Sequence, residues 1–335
     1  MFKSHLEKIS RTSSRLNNRK KSLRLDKNER IIPFSKKTII DIKKLVTNNI
    51  LQIYPEDFDK TIALLAKIEK VNKKFVNLVP GADSGLKYLF EVLSKKKKVV
   101  SIFPTYKMVE VFSKVYKQSL EKVFESQVDI KLLNNKYYKN TSFLYIANPN
   151  QPSGNIIDQK KLLAIIKFAK KNKKYIIIDE AYIDFSSQIS LSRLVKKYAN
   201  LIVLKSFSKS IGIAGARIGY IVASTKINKM IDAVRSAGDI SHFSLEILNY
   251  FLKKQKLWKK YLKDITSSKN FIKMICKKKN LEFKITEGNF FYIYLKKKNY
   301  KKILLKLKRK KILVAPIITK NEDNINLSLR LTIGS

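Results

Sequence analysis

The sequence predicts an α/β fold: a three-layer α/β/α large domain around a mostly parallel sheet, followed by a smaller α+β domain. Three observations predict it. Short β-rich apolar runs alternate with amphipathic segments from about residue 36 to residue 225. Long helical patterns then dominate to about residue 280, and a strand–helix–strand pattern closes the chain. Finally, 335 residues with 44% hydrophobic content can bury one large core and one smaller one, at roughly 100–200 residues per domain. The expected boundaries are an N-terminal arm at 1–35 that packs on the small domain or on a partner subunit, a large domain at 36–240 and a small domain at 241–335.

The arm is basic, with Arg11, Arg15, Arg19 and Arg24 and few acids. A transit peptide has that composition too, but "RLDKNER" continues without a break, which favours a native arm. "KFVNLVP" then reads as a strand running into Gly81, and "SGLKYLFEVL" has helical spacing. "KKVVSIFP" is a strand, "MVEVFSKVY" a helix, "TSFLYIANP" a strand and "DQKKLLAIIKFAKK" a helix. "KYIIIDEAY", "LIVLKSFSK" and "ARIGYIVAS" are three further strands. The last segments are "FKITEGNFFYIYL", "KILLKLKRKKILVA" and "NLSLRLTIG". The Lys95–Lys98 run reads as a solvated turn between helix and strand.

Composition excludes several classes of function. Nine Gly and seven Pro do not make a fibrous protein, and one cysteine, Cys276, makes neither a disulfide nor a cysteine-based metal site. His5 and His242 have no partner spacing for metal or triad chemistry, so no metal is expected. No apolar run is long enough to span a bilayer, and no secretory h-region stands at the N-terminus, so the expected location is the cytoplasm. The net charge of +45 suggests nucleic acid or an anionic membrane. Yet only ten of the 71 basic residues are arginine, the lysines are spread throughout, and Asn and Ile are also abundant. That is the signature of AT-rich codons, and neither a specific nucleic-acid partner nor a membrane is expected.

Chemistry concentrates in "LKSFSKSIGIAGARIGY", residues 204–220. A strand ends in a hydroxyl-rich turn that sets Lys209 among Ser206 and Ser208, and Arg217 follows in a glycine-spaced stretch. Hydroxyls with one guanidinium form an anion seat beside an amine. An amine among cations and partly dewatered is a better nucleophile toward a carbonyl. Upstream, "IIIDEAYIDF" puts Asp179 at the carboxyl end of a buried strand, where open parallel sheets bind ligands. A carboxylate there, with Tyr182 as a phenol donor, suits a pyridinium ring that acts as an electron sink.

"VLKSFSKSIGIAGARIGY", "IDEAY", "ANPNQPSG", "FPTY", "GADSGLKYLF" and "LRLTIG" occur in the order found in fold-type I pyridoxal-phosphate aminotransferases, and over about residues 24–335 the chain most resembles the histidinol-phosphate aminotransferase branch. The resemblance implies pyridoxal 5′-phosphate as cofactor, Lys209 as the residue that binds it covalently, Asp179 against its ring nitrogen and Tyr182 against its phenolic oxygen. It further implies Ser206, Ser208, Arg217 and the backbone around Ala82, Asp83 and Ser84 at the phosphate, with Tyr106 stacked on the ring. Tyr54 matches a tyrosine that reaches the phosphate of a neighbouring subunit, which implies a homodimer with shared sites. Arg330 matches the arginine that grips the substrate carboxylate.

Three departures stand out from that pattern. Gln151 replaces an asparagine that contacts the phenolic oxygen, a contact Asn150 could supply instead. Ala315 replaces an arginine of a "VRP" motif, which removes a charge-assisted bond to a phosphorylated substrate. Five residues follow Arg330, where relatives continue into a helix. The implied activity is transfer of an amino group between an amino acid, or an amino-alcohol phosphate, and a 2-oxo acid, with Lys209 as proton carrier. The alternatives are decarboxylation of a phospho-amino acid and a non-catalytic basic protein that binds nucleic acid.

Overall fold

The computed structural model describes residues 4–10, 19–56, 58–96, 98–320 and 325–334. Arg11 and Arg15 of the basic arm and Lys97 of the lysine run lie outside the described residues. The arm's first strand, β1 (Leu23–Arg24), is followed by the large-domain strands β2 (Val76–Val79), β3 (Lys98–Phe103), β4 (Ser119–Phe124), β5 (Thr141–Ala147), β6 (Tyr175–Asp179), β7 (Leu201–Ser206) and β8 (Gly219–Val222). The remaining strands are β9 (Phe283–Ile285), β10 (Phe290–Leu295), β11 (Ile312–Leu313), β12 (Ala315–Lys320) and β13 (Ile325–Thr332).

Seven strands form the main sheet in the order β2-β8-β7-β6-β5-β3-β4. All neighbours are parallel except β8, which runs antiparallel to both β2 and β7. The sheet is therefore mostly parallel, as the alternating pattern predicts. β4 was not among the expected strands. Its residues, partly exposed at the sheet edge, lack the continuous apolar run of the central strands.

Each central strand sends alternate side chains to opposite faces. Phe143, Tyr145, Ile177, Ile202 and Leu204 face the helices Gly81–Leu93, Lys107–Val115 and Thr225–Val234. Leu144, Ile146, Ile176, Ile178 and Val203 face Phe58–Glu69, Gln159–Lys171 and His242–Lys253. These two apolar layers on the sheet are the three-layer architecture. Lys95 and Lys96 are exposed between the helix Gly81–Leu93 and β3. Cys276 is buried in the helix Gln255–Lys278, and Trp258 of the same helix packs on the core.

A second sheet, β12-β13-β10-β9, is antiparallel throughout, with the helix Lys297–Arg309 inserted between β10 and β11. Where the sequence reads "FKITEGNFFYIYL" as one strand, the chain forms the hairpin β9–β10, turning at Glu287–Asn289. The arm joins this region: β1 pairs in parallel with β11, and the Thr332 N–H donates to the Leu25 carbonyl at 2.9 Å. No helix among the described residues is long and apolar enough to cross a membrane, and none of their acidic, His and Cys side chains cluster as metal ligands.

Candidate active site

The carboxyl ends of β6 and β7 lie side by side, with Asp179 paired to Leu204 in register. β7 ends at Ser206, whose hydroxyl caps the following turn by accepting from the Ser208 N–H at 3.2 Å. That single turn presents Lys209 to the cleft. The amine donates to the Lys27 carbonyl of the arm at 2.8 Å and stands 6.0 Å from the centre of the Tyr182 ring. Burial strips water from it and outweighs the attraction of Glu29. Arg330, Arg217 and Lys27 add repulsion, and the ammonium is brought down to about 8.

Asp179 is buried at the floor of the cleft. One carboxylate oxygen accepts the Ala181 N–H at 3.0 Å and the other accepts the Tyr145 hydroxyl at 2.6 Å. Burial holds its proton affinity above the usual carboxylate range; the two donors oppose that shift and the charge of Asp83 adds to it. Among the described residues no Lys or Arg pairs with Asp179. Tyr182 packs edge-on against Phe290, and its oxygen accepts from the Asn28 amide at 3.0 Å. With that lone pair taken, the phenolic proton is free to point elsewhere.

Gly81, in the left-handed region at φ +80°, opens the helix Gly81–Leu93, so the N–H groups of Ala82, Asp83 and Ser84 belong to its unpaired first turn. Arg217 folds over this helix start so closely that a Cβ on Gly81 would sit 3.1 Å from its Nη2. Tyr106 donates to Asp83 at 3.3 Å, and burial beside Asp83 and Asp179 raises its phenol well above the usual range. Arg330, on β13, donates to the Asp26 carbonyl at 2.8 Å and lies 5.5 Å over the Phe290 ring. Its neighbours across the sheet are Ala315 and Tyr292.

Lys209, Asp179, Tyr182, Tyr106, Asp83, Arg217, Ser206 and Ser208 thus come together with Ala82 and Ser84 at the strand ends, and Arg330 reaches them from the second sheet. Asn150 lies in the adjoining loop, where its amide nitrogen donates to the Pro104 carbonyl at 2.8 Å and lies 3.4 Å from Glu125 Oε1. Its buried oxygen has no partner among the described residues. Gln151 is partly exposed in the same loop. Tyr54 stands apart, 85% exposed beside Gly238. Sequence reasoning missed Asn28, Tyr145 and the carbonyls of Asp26 and Lys27.

The buried amine, the buried carboxylate lacking a cation, the donor-lined helix start and the guanidinium over it fit a phosphorylated pyridinium aldehyde. The model of the family described as aminotransferase class I and II matches residues 22–335. The chain belongs to the class I and II aminotransferases. Within that family it is 30% identical over 262 residues to a histidinol-phosphate aminotransferase of Buchnera aphidicola subsp. Schizaphis graminum, covering 76% of this chain and 73% of that one. Among solved structures, histidinol-phosphate aminotransferase from Sinorhizobium meliloti in complex with pyridoxal-5′-phosphate superimposes with a TM-score of 0.85. It shares 19% identity, and the match covers 100% of this chain and 93% of that one. An L-threonine-O-3-phosphate decarboxylase from Porphyromonas gingivalis gives 0.74 at 19% identity over 93% and 94% of the two chains. At these identities the two solved structures speak for the fold alone.

Proposed function

We propose that this chain is a pyridoxal-phosphate-dependent aminotransferase moving an amino group between an amino acid and a 2-oxo acid or related carbonyl compound. The observation that carries the reading is Lys209 and Asp179 at the ends of adjacent strands, with Arg217 folded over the helix start at Gly81. Arg217, Ser206, Ser208 and the N–H groups of Ala82, Asp83 and Ser84 would hold the phosphate. Tyr106 would cover the ring face. Asp179 would keep a proton on the ring nitrogen, and Tyr182 would donate to the phenolic oxygen. When bound, the cofactor supplies an electron-withdrawing ring that stabilises negative charge at the substrate Cα.

The protein's own work is positioning and proton transfer. Arg330 offers its guanidinium fork to the substrate carboxylate, a bidentate task for which lysine is poorly shaped. Lys209 Nζ would serve as the general base that carries the proton of the substrate Cα. Ala315, directly across from Arg330, leaves a small neutral surface next to the carboxylate grip, where an arginine would have favoured a phosphorylated substrate. We further propose a homodimer: Tyr54, Leu51, Val46, Ile53 and Phe243 form an exposed apolar stretch that a second copy would cover. We place the enzyme in the cytoplasm.

The test is a screen of cofactor-loaded protein against histidinol phosphate, aromatic amino acids and glutamate. Loss of the cofactor's visible band with stoichiometric release of a carbonyl product is the expected outcome. Lys209→Ala should slow turnover by at least about 10²–10⁴-fold with an unchanged circular dichroism spectrum. Carbon dioxide release without a carbonyl product of transamination would favour the decarboxylase reading. Full activity in Lys209→Ala would end the assignment.

A further inference from the structure

The sheet carries a polar group where its pattern calls for none. All seven residues of β5 are buried, and Tyr145 is wholly so, within an apolar layer that includes Phe90, Phe143 and Ile177. A phenol in such a place must find an acceptor. β5 and β6 are parallel, with Tyr145 opposite Ile177 and Ala147 opposite Asp179. Tyr145 is therefore the diagonal neighbour of Asp179 on the same face, a separation an aromatic side chain can bridge. The resulting O–H···O bond, 2.6 Å long, has the short length of a charge-assisted one.

We propose that Tyr145 is a positioning residue, acting through Asp179 to set the orientation and charge of the carboxylate that faces the cofactor ring nitrogen. The inference rests on the pyridoxal-phosphate reading above and adds to it a residue outside its site motifs. Asp179 has two fixed protein donors, the Ala181 N–H on one oxygen and Tyr145 on the other, and together they define the carboxylate plane. The backbone donor is rigid; the phenol is the part a mutation can remove. Without it, burial and the nearby Asp83 would drive the carboxylate toward its neutral form, and a neutral acid holds a ring proton poorly. The titratable groups facing Asp179 are Asp83 on the helix Gly81–Leu93, Tyr106 ahead of the helix Lys107–Val115, Tyr182 beyond β6, and Tyr145 itself. Tyr145 alone both donates to Asp179 from a neighbouring strand and lies entirely within the apolar layer.

The experiment is a double-mutant cycle on the full chain with pyridoxal 5′-phosphate as probe, using wild type, Tyr145→Phe, Asp179→Asn and the double variant. The readouts are the cofactor dissociation constant and the pH midpoint of its visible absorption. Tyr145→Phe should weaken cofactor binding by about tenfold or more, the worth of a hydrogen bond to a charged group. It should also raise the midpoint by about half a pH unit or more, because a less protonated ring no longer repels the proton on the Lys209 nitrogen. Both effects should vanish in the Asp179→Asn background. Equal effects in the two backgrounds, or none in either, would overturn the proposal. Tyr145 replaced by 3-fluorotyrosine, which keeps the shape and sharpens the donor, covers the case in which Tyr145→Phe does not fold. The midpoint must then move downward, and no movement overturns the proposal. If wild type binds no cofactor and Asp179→Asn changes nothing, the functional reading itself has failed. A wild-type-like Tyr145→Phe beside a damaged Asp179→Asn refutes only the role of Tyr145.

Discussion

Lys209 sits where three sources of positive charge and a loss of water act on one amine. Under the role proposed for Lys209, its depression to about 8 sets a pH dependence for cofactor capture, since only the neutral amine attacks an aldehyde. At pH 7 about a tenth of Lys209 is neutral, against about three parts in ten thousand for an ordinary lysine at 10.5. The rate at which cofactor-free protein takes up pyridoxal phosphate, followed by stopped-flow absorbance, should climb about tenfold per pH unit below 8 and level off above it. A climb continuing to pH 10 would contradict the structure. The linkage sign agrees: the unfolded chain binds this proton more tightly, so the group's contribution to stability rises with pH between about 8 and the ordinary lysine value. Lys209, Asp179 and Arg217 are legible in the sequence because each stands in a short motif with its neighbours. Asn28 and Tyr145 are not. Asn28 meets Tyr182 from 154 positions away, and Tyr145 reads as one more apolar residue of a buried strand.

Behind the cleft, strand alternation sends the next residues of β6 and β7 to the opposite face. There Lys205 is buried, 2.8 Å from Glu69 of the helix Phe58–Glu69 and 4.0 Å from Glu180. Tyr220 donates to Glu69, while Glu180 accepts from Ser190 and from the Leu191 N–H at 2.7 Å. The two carboxylates differ. Glu69, against the ammonium, is held below its usual range despite burial, whereas Glu180 is pushed up to about 7 by burial. Glu69→Gln leaves Lys205 without its close partner and should cost about 3–5 kcal/mol in urea unfolding at pH 8. Glu180→Gln, which replaces a reluctantly ionised acid, should cost far less at that pH. Equal losses would contradict the asymmetry. As for legibility, the six main-sheet strands other than β4 announce themselves as apolar runs. β4 lacks that run, and the β9–β10 hairpin is hidden because its turn, "TEGN", lies between two segments of the same alternating character.

At the scale of the whole molecule the charge of +45 is a surface property distributed over both sheets' outer helices, as in the lysine-rich Lys297–Arg309. It predicts retention on a polyanion column at about 50 mM salt that collapses by several hundred millimolar, with no preference among nucleic-acid sequences. Sequence-selective binding that survives high salt would contradict this. The architecture was legible at this scale because the alternation of apolar runs and amphipathic helices repeats through the large domain. The meeting of the two sheets was not, because the segment that joins them at the cleft is irregular backbone. Residues 25–28 touch Thr332 and Arg330 on one side and Lys209 and Tyr182 on the other. The span between the Arg330 guanidinium and the Lys209 amine is therefore gauged by neither sheet alone but by four residues of strap laid across both. A change of length or composition there would retune which substrates fit while leaving both hydrophobic cores untouched.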